Sequence, residues 1–228
     1  MPQEPGKEKT TAAEEMQRRA QRVFWEGDRA AWALQQPLTA ELATHLPLQP
    51  VLDDRLPLVL SDGRRIFFNV HASARLKAPQ RRFLQAHLVW HCALGHLRAC
   101  PMPDLRRWHL ACDQEVNAIL LLLGFPLPDD AVLFPACIGK SLPEIYAWLE
   151  DHPCLSLESS PDRILRELID PDRDLHLPGR IRDPALDPRP PDPGLLAAWE
   201  ERLRQGLRRH GDSPQLAGPV AALLASRS

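Results

Sequence analysis

The feature that most constrains the fold of this chain is a hairpin signal followed directly by a long helical pattern. Two short runs of β-forming residues, 56–60 and 65–70, flank the sequence Ser-Asp-Gly-Arg at 61–64. Asp-Gly between apolar runs is typical of a tight turn, so the two runs predict an antiparallel β-hairpin. After Leu76 the apolar residues recur at a helical period until Gly95, a typical residue at the end of a helix. We therefore predict a long helix packed on a small sheet.

Further helical patterns predict a fold class of α+β, mainly helical. Each begins at a capping residue or shows helical periodicity, and several end at glycine or before proline. The predicted helices span 10–34 (interrupted near Gly27), 40–46 (capped by Thr39), 76–95, 104–123 (capped by Asp104), 141–149 (a capping box from Ser141 to Glu144), 195–207 and 215–225.

Length and proline content predict how the chain is divided. With 228 residues and 44% hydrophobic content, it can form one main domain with a core. Segment 153–193 holds nine of the 24 prolines, which exclude long regular elements, so we predict an extended or loosely packed connection with one turn of helix after Pro161. The expected division is a main domain with an N-terminal helical arm over 1–150, a connection over 151–193, and helices over 194–228 that pack on the same domain.

Three histidines in the predicted central helix point to a metal site. His87 and His91 are four residues apart, which places them about 40° apart on one helix face, where both rings can bind one zinc ion. His96 lies about 140° beyond His91 and reaches the ion only if the chain turns back at Gly95. Asp113, on the next predicted helix, is the alternative third ligand.

Other residues near this site leave alternatives open. Asn117 lies one turn after Asp113 on the same face, where it can hydrogen-bond or orient the carboxylate. A thiolate could also bind zinc. The cysteines close to the motif in sequence are Cys92, Cys100 and Cys112. It also stays open that the histidines only pack in the core and bind no metal.

Leu88 separates metal binding from hydrolysis. In the H-E-x-x-H motif of zinc peptidases the residue after the first histidine is a glutamate that accepts a proton from water. Leucine cannot do so, and loss of general-base catalysis costs about 10²- to 10⁴-fold in rate. Glu115 and Glu144 are alternative bases, but Glu115 lies about 200° from Asp113 on its helix and is expected to point away from the site. We assign no catalytic residue.

Composition argues against several classes of protein. The 28 basic and 30 acidic residues leave a net charge of −2, which gives no excess of positive charge for nucleic acid. Residues 1–10 lack the apolar stretch of a secretory signal, so we expect a cytoplasmic protein. The longest apolar run, 118–125, is far shorter than the roughly 20 residues that span a bilayer. Five cysteines without C-x-x-C spacing predict reduced thiols.

The ordered segments resemble a bacterial family of metallopeptidase-like domains that commonly precede a von Willebrand factor A-like domain. Residues 86–96 are similar to the family's A-H-E-x-x-H-x-A-L-x-H segment, and 61–69 to its T-D-G strand pair ending in tyrosine-asparagine. Residues 108–117 resemble a W-N-x-A-x-D-x-x-x-N helix, and 141–149 an S-x-E-E-I-Y-x-x-L helix. A Gly-Asp-x-Pro stretch at 211–214 extends the resemblance, which covers about 23–222.

The resemblance implies a zincin-like fold in which His87 and His91 bind zinc, with Asp113 or His96 completing the site. It also implies a protein partner, either a von Willebrand factor A-like protein or a MoxR-type AAA+ ATPase. Leu88 departs from the family pattern, and the chain to Ser228 leaves no room for the von Willebrand factor A-like domain. We expect a catalytically impaired metal-binding domain that acts through protein or peptide partners; the alternatives are an active hydrolase with another base and a metal-free scaffold.

Overall fold

A computed structural model describes residues 11–32, 34–152 and 182–214, together with residues 216, 220 and 224. Helices dominate this part of the chain and accompany one three-stranded sheet, which confirms the α+β, mainly helical class. The elements are α1 (Ala12–Ala30), α2 (Pro37–Ala43), β1 (Leu48–Val51), β2 (Val59–Ser61), β3 (Ile66–Asn69), α3 (Val70–Ser73), α4 (Ala78–Ala93), α5 (Leu105–Leu122), a 3₁₀ turn (Pro135–Cys137), α6 (Leu142–Asp151) and α7 (Pro193–His210). The turn predicted after Pro161 lies outside the described residues.

The sheet contains the predicted hairpin and one strand that the sequence did not predict. β2 and β3 pair antiparallel, and Gly63 in their turn has a φ of +79°, a left-handed conformation that favours glycine. β1 pairs with β3 in parallel, so the strand order is β1-β3-β2. β1 was missed because it has four residues, one of them Pro50, and such a short strand gives no clear alternating pattern.

Two predictions about the N-terminal helices were wrong. α1 is continuous through Gly27, because residues on either side of the glycine are buried: Trp25, whose ring stacks on Phe68 at a centroid distance of 4.3 Å, and Asp28. Those contacts outweigh the roughly 1 kcal/mol helix cost of one glycine. α2 begins at Pro37, so Thr39 lies inside the helix, where its hydroxyl accepts a hydrogen bond from the Trp90 indole instead of capping.

Helix α4 is the central element of the fold. Every residue from Phe83 to Ala93 is buried, and the helix packs against α1, α2, α5, α7 and β2. Leu88 is 1% exposed and belongs to the main hydrophobic core. The predicted histidine helix is therefore surrounded by other elements along its C-terminal half.

The end of the proline-rich segment and the C-terminal helix are fixed to this core. Residues 182–192 have no helix or strand but are anchored by Asp183, whose carboxylate accepts hydrogen bonds from the Leu52 amide at 2.7 Å and pairs with Arg18 at 2.6 Å. α7 packs on α2 and α4. In the predicted helix over 215–225 only three residues are described, and all three are buried in the main core: Leu216, Val220 and Leu224. Among the described helices none is long and apolar enough to cross a membrane.

Candidate metal centre

Two neighbouring helices bring three potential ligands together. α4 supplies His87 and His91 one turn apart, and α5, which packs against α4, supplies Asp113. Within the described ranges, these residues form a group whose potential ligand atoms all lie within 4.8 Å of one another. His87 and Asp113 are fully buried and His91 is 5% exposed. We call these three residues the donor triangle.

The dimensions of the donor triangle fit a single small cation. The Nε2 atoms of His87 and His91 are 2.9 Å apart, and the Asp113 Oδ1 atom lies 3.5 Å from the first and 3.2 Å from the second. Ligands at about 2.0–2.1 Å from a tetrahedral zinc ion lie about 3.3–3.4 Å from one another. The three separations are thus close to those that zinc requires, without rearrangement of the backbone.

Hydrogen bonds on the far side of His87 leave its Nε2 atom as an acceptor. Its Nδ1 atom lies 3.0 Å from the Asn117 Oδ1 atom, while the Asn117 Nδ2 group donates to the Val132 carbonyl at 2.9 Å. The second bond fixes the orientation of the amide, so the oxygen faces the ring and Nδ1 must carry the proton. The lone pair of Nε2 then points into the donor triangle. Asn117 therefore orients His87, whereas the sequence had assigned it to Asp113.

A chain of hydrogen bonds fixes the orientation and the tautomer of His91 in the same way. Glu115 Oε2 lies 2.9 Å from His96 Nε2, and His96 Nδ1 lies 3.1 Å from His91 Nδ1. An ionised carboxylate only accepts, so His96 donates to Glu115 through Nε2 and accepts at Nδ1 from His91. The His91 Nε2 lone pair therefore also points into the donor triangle. His96 orients a ligand from behind, and Glu115, which was expected to point away from the site, holds His96 in place.

Asp113 is a buried carboxylate whose oxygens lack ordinary hydrogen bonds. Among the described residues, no donor reaches either oxygen with normal hydrogen-bond geometry. Burial alone raises the pKa of Asp113, but the charge of His109 and hydrogen bonds from His87 and His91, when these rings are protonated, outweigh this effect and hold the pKa well below its usual range. When these histidines are neutral, a negative charge buried among them is costly without a cation. Three acceptor atoms converge here, and a bound metal ion satisfies all of them.

The remaining residues predicted near the site lie outside the donor triangle. Within the described chain, the group that could hold an ion contains no cysteine. Cys92 contacts the Ser61 hydroxyl at 3.5 Å, and Cys100 donates to the Met102 carbonyl. Leu88 packs in the main core, as described above. Glu144 is at the start of α6, where its carboxylate accepts from the Ser141 amide and hydroxyl at 2.8 and 2.6 Å.

One residue near the donor triangle was missed by the sequence analysis. The His109 Nε2 atom lies 3.6 Å from the Asp113 Oδ1 atom, and its ring centroid is 6.0 Å from that of His91. His109 precedes Asp113 by four residues on α5, the same spacing that identified His87 and His91 on α4. That spacing was the signal in the sequence that would have identified it.

A cavity of about 830 Å³ lies beside this centre. Its lining includes Gly95 at the end of α4, Lys140 before α6, and Leu207 on α7. Glu115, the residue that holds His96, also lines the cavity. The cavity thus borders the outer residues of the centre.

Residues 26–182 match the model of one protein family, which is described as "Putative metallopeptidase domain". The match spans more than half of the chain and includes all of the donor triangle. No curated protein and no solved structure shows significant similarity to the chain.

Proposed function

The chain belongs to this metallopeptidase-domain family, and we propose that it is a zinc-binding member that no longer cleaves peptides. The observation that carries the proposal is Asp113, a fully buried carboxylate that no donor in the described part of the chain reaches with normal hydrogen-bond geometry, and whose Oδ1 atom faces the Nε2 atoms of His87 and His91. Two imidazoles and one carboxylate are a ligand set that catalytic zinc sites use. Zinc bound there would act as a Lewis acid on a carbonyl group only if one coordination position stayed open to it.

The proposed loss of hydrolysis rests on the absence of a suitable base among the residues that the structure describes. Leu88 replaces the glutamate of the family motif and is buried in the core. Glu115 is engaged by His96. Hydrogen bonds from the Ser141 side chain and backbone lower the pKa of Glu144, which makes it a weaker base, and the same bonds tie its carboxylate to the start of α6. Because these contacts already hold both glutamates, they argue against the alternative of an active hydrolase that uses one of them as the base.

We further propose that the domain acts by binding a protein or peptide partner. The outer strands of the sheet are poor sites for strand addition, because β2 is fully buried and α1 covers β1, where Arg18 donates to the Pro50 carbonyl. The cavity beside Glu115 and Lys140 is a better location. The partners implied by the sequence resemblance are a von Willebrand factor A-like protein and a MoxR-type ATPase. Binding of either purified protein should weaken in Lys140→Glu and stay unchanged in the control Lys77→Glu; equal binding by both variants would place the partner elsewhere.

The metal content of untagged, purified protein tests the zinc site. We expect stoichiometric zinc in the wild type, and loss of it in His87→Ala. His71→Ala is the matched control, since His71 is exposed on α3 and should leave the zinc content unchanged. If the wild type takes up no zinc even after refolding with the ion, the chain is a metal-free scaffold and the proposal is wrong.

A sensitive peptidase assay tests the loss of hydrolysis separately. The zinc-loaded wild type should release no more product than His91→Ala from a library of unfolded peptides. Zinc-dependent cleavage that disappears in His91→Ala would show that the enzyme is active and that another group serves as base.

A further inference from the structure

We infer that His109 is a fourth protein ligand, which closes the zinc site against water. This inference rests on the proposed zinc site and adds what completes it. The resulting ligand set is His87, His91, His109 and Asp113. A zinc site with four protein ligands is structural, whereas a catalytic site keeps one position open for water or substrate.

The arrangement of the helices supports a two-plus-two site. α4 presents His87 and His91 four residues apart, and α5 presents His109 and Asp113 at the same spacing. Residues four apart lie on one face of a helix, so each helix directs a pair of ligand side chains towards the other. Such pairing of ligands from facing helices is a common way to build metal sites inside helical proteins.

The interatomic distances place His109 next to Asp113, the carboxylate among the four proposed ligands. Its Nε2 atom is 3.6 Å from the Asp113 Oδ1 atom, close to the 3.5 and 3.2 Å of the two other histidines. All three imidazoles therefore approach the same carboxylate oxygen.

The exposure of His109 indicates the side on which it acts. Its side chain is 15% exposed, compared with 0% for His87 and Asp113 and 7% for His91. His109 is thus the most solvent-exposed of the four side chains, and it lies between the donor triangle and the surface in this proposal. A ring that binds the ion there excludes water from it.

A rotation of the side chain completes the site. The ring centroids of His91 and His109 are 6.0 Å apart, whereas those of His87 and His91 are 4.5 Å apart, and His109 lies outside the donor triangle. In this proposal the ring turns towards the ion when the ion binds. A closed site also agrees with Leu88, because a domain without a base has no use for an open position.

Cobalt substitution of the full chain tests this inference. Co²⁺ replaces zinc at such sites, and its visible absorption is intense in a four-coordinate site and weaker when more ligands bind. We expect intense absorption in the wild type that does not change on addition of azide. In His109→Asn we expect weaker affinity, by more than the roughly 10- to 100-fold that follows loss of a residue orienting a ligand. The variant's spectrum should also change with azide, because the anion enters the opened position.

The comparison separates failure of this inference from failure of the zinc site. His109→Gln provides a second variant if the first does not fold, and His71→Asn is the control for a surface histidine. If His109→Asn and the wild type bind Co²⁺ equally and both respond to azide, His109 is not a ligand and the zinc site stands. If the wild type binds neither Co²⁺ nor zinc, the proposed function is wrong, and this inference with it.

Discussion

Replacing Asp113 by asparagine should raise the stability of the metal-free protein, at a pH at which the facing histidines are neutral, and reduce the stabilisation that zinc provides. In the metal-free protein, the buried carboxylate faces imidazole acceptors and has no donor of normal geometry among the described residues. Leaving a buried polar group without a partner costs about 1–3 kcal/mol, and more if it is charged. Asparagine removes the charge, and its amide can donate to an Nε2 atom. We therefore expect Asp113→Asn to raise the free energy of unfolding of the metal-free protein by about 1–3 kcal/mol.

Zinc should reduce or abolish this advantage of the variant. At free zinc 1,000-fold above Kd, binding stabilises the wild type by about 4 kcal/mol. For a chain of this size, that corresponds to a rise in Tm of about 8–16 °C. A neutral amide is a poor zinc ligand, so affinity should fall at least as much as the roughly 10- to 100-fold that follows loss of an orienting residue. At the same zinc concentration, the gain in the variant is then no more than about 1.4–2.7 kcal/mol.

Thermal and urea unfolding, each with a chelator and with zinc, measure both effects. Asp53→Asn is the matched control, since Asp53 is equally buried but accepts hydrogen bonds from the Arg55 side chain and the Asp183 amide. It should lose about 1.5–3 kcal/mol under both conditions, because a charged acceptor is removed, and keep the full zinc effect. If metal-free Asp113→Asn is less stable than the wild type and gains as much from zinc, Asp113 is not a ligand and our account of the donor triangle fails.

Three further predictions follow from the same contacts. His96→Asn should weaken zinc affinity by about 10- to 100-fold in chelator competition, since His96 orients His91, and an unchanged affinity would contradict that role. Leu88→Glu should lower the free energy of unfolding by about 3–5 kcal/mol in thermal melts, because it places an uncompensated carboxylate in the core. The volume-conserving control Leu88→Met should lose under about 1.5 kcal/mol. A stable Leu88→Glu variant that cleaves peptides would show instead that position 88 faces the metal. Burial alone raises the pKa of Asp53, but hydrogen bonds from the Arg55 side chain and the Asp183 amide outweigh burial and lower the pKa. The ionised Asp53 therefore contributes to the free energy of unfolding above its unfolded pKa of about 3.9, and this contribution is lost as pH falls through the folded pKa. The stability of Asp53→Asn, followed during acid unfolding, should lack this pH-dependent contribution.

The sequence by itself determined those features that depend on neighbours along the chain. The hairpin followed from Asp-Gly between two apolar runs, and the starts of α5 and α6 followed from Asp104 and Ser141 as capping residues. The pairing of His87 with His91 also follows from the sequence, since the helical repeat places residues four apart on one face. All of these are set within about one turn of backbone.

Local rules failed where distant packing outweighed them. Gly27 was expected to interrupt α1. The helix is continuous there, because Trp25 stacks on Phe68 and Asp28 pairs with Arg81. The parallel strand β1 forms by pairing with β3, from which it is separated in sequence by β2 and the loops on either side of β2. No window of sequence contains those partners.

The tertiary structure alone decided how the metal centre is assembled. From the sequence, His96 and Asp113 competed for the third position, with helix geometry favouring Asp113 by a modest margin, and His109 was not considered. The packing of α5 on α4 directs Asp113 and His109 towards the histidine pair, while the turn at Gly95 leaves His96 behind His91. Helical periodicity fixes which residues share a face, but the rotation and distance between two helices come from the side chains packed between them, so the ligands of a shared site emerge only in the folded chain.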